Sequence, residues 1–105
     1  MAQREVIELL KKYIELLRSE GISVSKAFLY GSYSDDSATD QSDIDVLLVS
    51  DGFEKSNDRL AGKAWRLTRQ VNSRIEPFLV GTDQYEDSDN SPLLTKVKET
   101  GIQIV

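Results

Sequence analysis

The sequence predicts a small α+β domain in which helices and strands alternate. Two stretches carry apolar residues at helical spacing, Val6 to Leu17 and Leu60 to Val71. Three short runs are rich in β-branched and aromatic residues: Ala27-Phe28-Leu29-Tyr30, Val46-Leu47-Leu48-Val49 and Ile75-Glu76-Pro77-Phe78-Leu79-Val80. Gly, Pro and Asp-Gly mark the breaks between them.

Taken in order, Val6, Leu9, Leu10, Tyr13, Ile14 and Leu17 form one stripe, with Glu, Lys and Arg filling the other positions, so residues 3–19 read as an amphipathic helix capped by Gly21. Ser25 to Tyr30 reads as a strand that stops at Gly31, where a missing side chain permits a sharp turn or close approach to a ligand. Residues 34–42 are small and polar and suit a short helix or a loop. Asp43 to Ser50 is a second strand, and its run Val46 to Val49 is too apolar for a strand open to water on one side. Between Asn57 and Ser73, Leu60, Ala64, Leu67 and Val71 align as a second long helix. Trp65 lies beside that stripe and reads as a core or interface residue. Arg74 to Val80 is a third strand, which Pro77 consigns to a sheet edge or a bulge because it cannot donate to a ladder. Tyr85 to Asn90 is acidic and reads as a surface loop. Ser91-Pro92 is a helix start, with Ser91 as N-cap and Pro92 in the first turn; Gly101 closes that helix, and Ile102 to Val105 reads as a last short strand.

Composition narrows the chemistry. At 105 residues the chain suits one domain, 1–105. It has no cysteine and no histidine, which removes thiolate nucleophiles, sulfur- or imidazole-bound zinc and His-based triads. Carboxylate, hydroxyl and amine chemistry remain, and five aspartates between Asp35 and Asp45 dominate that inventory. Such hard oxygen donors suit Mg²⁺ or Mn²⁺. A formal net charge of −5 argues against direct nucleic-acid binding, whose affinity comes from Lys and Arg displacing counterions. No stretch approaches a membrane span, and the N-terminus leads into an amphipathic pattern without a signal core, so a cytoplasmic location is expected.

The informative segment runs from Gly31 to Asp45. Asp43 and Asp45 are two apart on a strand, so both carboxylates face one way while Ile44 faces the other. Like charges so placed repel unless a cation bridges them. Ten residues upstream, Gly31-Ser32 ends the first apolar strand, with Gly31 allowing backbone approach and Ser32 offering an amide and a hydroxyl to an anion. Either element alone is commonplace, a solvent-facing acid pair or an ordinary turn.

Together, strand, Gly31-Ser32, ten residues, Ser42-Asp43-Ile44-Asp45 and a second apolar strand resemble the signature of the DNA polymerase beta-like nucleotidyltransferases. Within that superfamily the chain is most similar to the small minimal nucleotidyltransferase (MNT) group, often paired with HEPN-domain proteins in toxin–antitoxin operons. The resemblance spans nearly the whole chain. It implies the nucleotidyltransferase fold, a small mixed sheet of three to four strands flanked by helices. It assigns Gly31 and Ser32 to the nucleotide's phosphates. It assigns Asp43 and Asp45, with a third carboxylate on the next strand, to two Mg²⁺ ions and to catalysis. The matching third residue is Glu76, where an Asp is commoner in the superfamily; its duller reading is an edge residue paired with Arg74.

One departure bears on activity. Small members of the group usually carry Arg or Lys shortly after the turn, where this chain has Ser34-Asp35-Asp36. An acid beside a triphosphate repels it, so either the nucleotide binds weakly or another cation substitutes; Lys26, Arg59, Lys63 and Arg66 are the candidates. Two functions follow. The first is a Mg²⁺-dependent transfer of a nucleoside monophosphate, AMP from ATP by resemblance, to a hydroxyl on a partner HEPN toxin. The second is a catalytically weak antitoxin that neutralises its partner by contact. Transfer to a small molecule such as an aminoglycoside is disfavoured, since such enzymes generally carry an additional helical domain. Self-association is compatible with either function.

Overall fold

The computed structural model describes residues 1–53, 58–87 and 91–105. Its elements are α1 (Gln3–Ser19), β1 (Lys26–Tyr30), β2 (Ile44–Val49), α2 (Asp58–Leu67), β3 (Ile75–Val80), α3 (Thr82–Glu86), α4 (Pro92–Thr100) and β4 (Ile102–Gln103). Four strands form one mixed sheet in the order β3-β2-β1-β4. β1 runs antiparallel to β2 and to β4, while β2 and β3 are parallel, with α2 as the crossover between them. Pro77 therefore stands on an edge strand, where its missing N–H costs no ladder bond.

Strand alternation gives the sheet two differently used faces. Ala27, Leu29, Ile44, Val46, Leu48 and Ile75 join Val6, Leu10, Tyr13, Ile14 and Leu17 of α1 and Ala64 and Leu67 of α2 in one buried core. Tyr13 closes it by donating its hydroxyl to the Ala64 carbonyl, 2.7 Å away, which ties α1 to α2. On the opposite face Phe28, Leu47, Val49 and Val80 pack against Leu94 and Val97 of α4. β2 is thus covered on both sides, as its unbroken apolar run requires.

Helix ends follow local chemistry. α1 stops in a Schellman turn: Ile22 N–H donates to Leu17 O and Gly21 N–H to Arg18 O, with Gly21 at φ 91°. Ser91 accepts from the Leu94 amide and Pro92 begins α4, as the sequence predicts. Gly101 ends α4 for a different reason than a left-handed cap, since its φ is −73°. A Cβ there would lie 2.6 Å from Val97 O and 3.3 Å from Leu29 O, so the glycine lets the chain pass close to β1 before pairing as β4.

Of the two forms expected for residues 34–42, short helix or loop, the chain takes the loop: a 3-10 turn covers Gly31–Tyr33 and turns follow. Other expectations are refined. The second helix tightens to a 3-10 turn at Thr68–Gln70, where Thr68 Oγ1 turns back to Trp65 O; Asn57, its expected start, lies outside the described residues. Trp65 is 46% exposed, because Ala64 and Leu67 take the inward face of α2 and Trp65 follows Ala64 by about 100° round the helix. Tyr85 belongs to α3 and stacks on Phe28 with ring centroids 5.8 Å apart, while residues 88–90 of the expected loop lie outside the described residues.

Candidate active site

The site face of the sheet is organised in rows across three strands. Phe28, Leu47 and Phe78 are register partners in one row, and Tyr30, Asp45 and Glu76 in the row above it, at the end of β1 where the chain turns at Gly31. The parallel pairing of β2 and β3 sets Glu76 beside Asp45, with neighbouring strands about 4.8 Å apart. Asp43 precedes β2, two residues before Asp45, and is exposed; Asp45 is half-buried and Glu76 exposed. The intervening Ile44 is fully buried in the opposite core, so the alternation expected from the sequence holds.

Gly31 presses directly against this row. Its φ is 75°, and a Cβ on it would fall within contact distance of Asp45 Oδ2 and 3.3 Å from Asp45 Cγ. The turn is stiffened by Ser34, whose amide and hydroxyl both donate to Gly31 O, and by the Ser37 amide donating to Ser32 O. At the other end of the loop, Arg74 donates to the Ser42 carbonyl and Ile44 N–H donates to Arg74 O. Arg74 thus anchors the segment that carries Asp43, and Glu76 is not its partner.

Electrostatics mark Asp45 as the centre. Partial burial, then the charges of Glu76 and Asp43, push its carboxyl above the usual aspartate range. Burial, with Asp45 and Glu76 behind it, likewise raises Tyr30, whose phenol stays protonated at neutral pH. Among the described residues, no three acidic side chains are gathered closely enough, as placed, to hold an ion. The donor set nonetheless has the chemistry for a hard divalent cation: an all-oxygen group of like charges whose mutual repulsion such a cation would remove.

A cavity of ≈ 410 Å³ opens next to the turn. Tyr30, Gly31, Ser34 and Asp35 bound it on one side. Leu93, Lys96, Val97 and Thr100, which recur along one face of α4, bound the other. Asp35 is held below the usual aspartate range, chiefly by the hydrogen bonds it accepts from the Ser37 hydroxyl and amide at 2.6 and 3.0 Å, and in part by the charge of Lys96. The four cations expected to replace the missing Arg or Lys are elsewhere. Lys63 donates to Glu20 O at 2.7 Å, beside α1. Arg59 and Arg66 ride on α2, which covers the opposite face. Lys26 lies 5.6 Å from the Tyr85 ring centre, at the far end of β1 from Gly31. A wider groove of ≈ 760 Å³ along α1 contains none of Asp43, Asp45 and Glu76.

The family model for the nucleotidyltransferase domain matches residues 10–89, which span the turn, the acids and all three long strands. The chain belongs to the nucleotidyltransferase domain family. The fold of this nucleotidyltransferase agrees with that of a solved structure, a candidate nucleotidyltransferase from Sulfolobus solfataricus. The two are 20% identical, superpose with a TM-score of 0.63, and the match covers 81% of this chain and 75% of the other. Comparison with curated protein sequences finds no match. No helix among the nucleotidyltransferase's described residues is long and apolar enough to cross a membrane.

Two residues at the site escape sequence reasoning. Tyr30 gave no signal beyond its position before the turn. Lys96 sits on a helix with charged neighbours and reads as part of a solvated face; only the packing of α4 over β1 brings it to Gly31.

Proposed function

We propose that this nucleotidyltransferase is of the minimal type, moving a nucleoside monophosphate from a triphosphate, ATP by resemblance, to a hydroxyl on a partner protein. In that role it serves in the cytoplasm as antitoxin to a HEPN-type ribonuclease. The observation that carries the reading is the Gly31 bend lying against Asp45, whose neighbour in the next strand is Glu76. A phosphate-binding turn and a carboxylate row are thereby adjacent. Phe78, 42% exposed and two residues beyond Glu76, offers an apolar contact that suits a protein acceptor.

Asp43, Asp45 and Glu76 are the residues that would hold Mg²⁺ or Mn²⁺. A bound pair of such ions would supply charge neutralisation at the transferred phosphoryl and at the leaving pyrophosphate. The chain's own groups do the rest. The amides of Gly31 and Ser32 orient the phosphates. Glu76, on an exposed edge strand, is positioned to accept the proton of the acceptor hydroxyl as its oxygen bonds to the α-phosphorus and the bond to pyrophosphate breaks. Tyr30, kept protonated, stands beside Asp45 in the row as a neutral group and adds no charge to it.

A second reading, a catalytically weak antitoxin acting by contact, is favoured by one observation: Asp35 lines the cavity beside the turn, where it repels a triphosphate. Intact mass of the purified partner after incubation with ATP and Mg²⁺ separates the two. Gain of a nucleotidyl group that disappears with Asp45→Asn supports the enzyme. Neutralisation without any gain in mass supports contact.

A further inference from the structure

Asp45 lies against the Gly31 bend, with Glu76 beside it in the next strand and Asp43 two residues before it, Asp35 lines the cavity at the bend, and a triphosphate brings further negative charge. Divalent cations held by the strand acids offset part of this and leave the side of the bend facing α4 uncompensated. There, of the residues bounding the ≈ 410 Å³ cavity, Lys96 is the one cation. Its helix cannot slide away easily: Leu94 and Val97 are buried against Phe28 and Leu47, and the Gly101 turn binds the end of α4 to β1. Lys96 is therefore delivered to the turn by packed structure, which is how a phosphate ligand is pre-organised.

We propose that Lys96 is the phosphate-binding cation of this site, taking from α4 the role that relatives give to a basic residue just after the Gly-Ser turn. Asp35 is its competitor: the two residues line the same cavity without an ion pair between them, and the incoming phosphates take over the charge of Lys96. The inference rests on the nucleotidyltransferase reading above and adds to it the residue that grips the nucleotide's phosphates.

The test is binding of ATP, ADP, AMP and adenosine, each with Mn²⁺, measured calorimetrically on the whole chain, with a thermal melt for every variant. Lys96→Ala is expected to weaken ATP by about tenfold or more, the worth of a hydrogen bond to a charged group. The loss should shrink with each phosphate removed and vanish for adenosine, and Lys96→Arg should restore most of it. Asp35→Asn keeps the oxygen that accepts from Ser37 while removing the charge, so it should tighten ATP. Unchanged ATP affinity in Lys96→Ala overturns the inference and leaves the enzymatic reading standing, as does a loss equal for ATP and adenosine, which marks a structural lysine. A wild-type chain that binds no triphosphate overturns both.

Discussion

Gly31 carries two demands at once, a left-handed backbone and the absence of a Cβ where Asp45 stands. Gly31→Ala should therefore cost about 1–3 kcal/mol in stability, from backbone strain and the displaced carboxylate, and should abolish transfer. Denaturant melts and partner mass measure the two effects. Asp45 has the opposite character. Its carboxyl is raised by burial and by Glu76 and Asp43, so the ionised form weakens the apo fold, and its contribution falls as pH rises through the carboxylate range. Asp45→Asn should stabilise the metal-free chain at neutral pH by less than about 1 kcal/mol, since solvent screens so open a group, while removing activity. A variant less stable than wild type would contradict this. That the Gly31 turn would lie by the Asp43 and Asp45 pair was legible because turn and acid pair share one short segment. That Lys96 would line a cavity with Gly31 was not, because nothing local distinguishes a lysine that packing carries to a cavity from one left in water.

Among the elements, the α1–α2 pair is tied by a buried polar link within its apolar contact. Tyr13 is fully buried, and its hydroxyl reaches the Ala64 carbonyl. Tyr13→Phe should cost about 1 kcal/mol, because the carbonyl is left with a weaker set of partners. Burial also raises the Tyr13 phenol well above its ordinary value. Its stabilising contribution is intact below the unfolded value, about pH 10, and is lost as pH rises beyond that toward the folded one. Alkaline melts should show a fall in wild type that is shallower in Tyr13→Phe. The elements themselves were legible where a period or a breaker was strong: the α1 stripe, the doubly buried β2, the edge or bulge that Pro77 demanded and the sheet order resolves as an edge. Their pairing was not. That Glu76 lies beside Asp45 follows from parallel register between β2 and β3, which the sequence specifies only through the closure of the whole sheet. Trp65 shows the converse limit, since its hydrophobicity suggested the core or an interface and its helical phase removed the core from that pair.

At the scale of the molecule, the two faces of one sheet divide the labour. One is sealed by α1 and α2 into the main core; the other is sealed only partly, leaving a row of Tyr30, Asp45 and Glu76 open above the Phe28, Leu47 and Phe78 row. That half-covered end is what makes a site possible, because rigid strands hold the acids while the turn and α4 supply the rim. Asp43, Asp45 and Glu76 are proposed to act as one divalent-cation site beside the Gly31 bend. Titration of Mn²⁺ into the chain, followed by electron paramagnetic resonance with ATP present, tests it most directly. Wild type should bind Mn²⁺ and ATP together, and Asp45→Asn or Glu76→Gln should each weaken that binding by about tenfold or more. Mn²⁺ binding left unchanged in both variants would contradict the account.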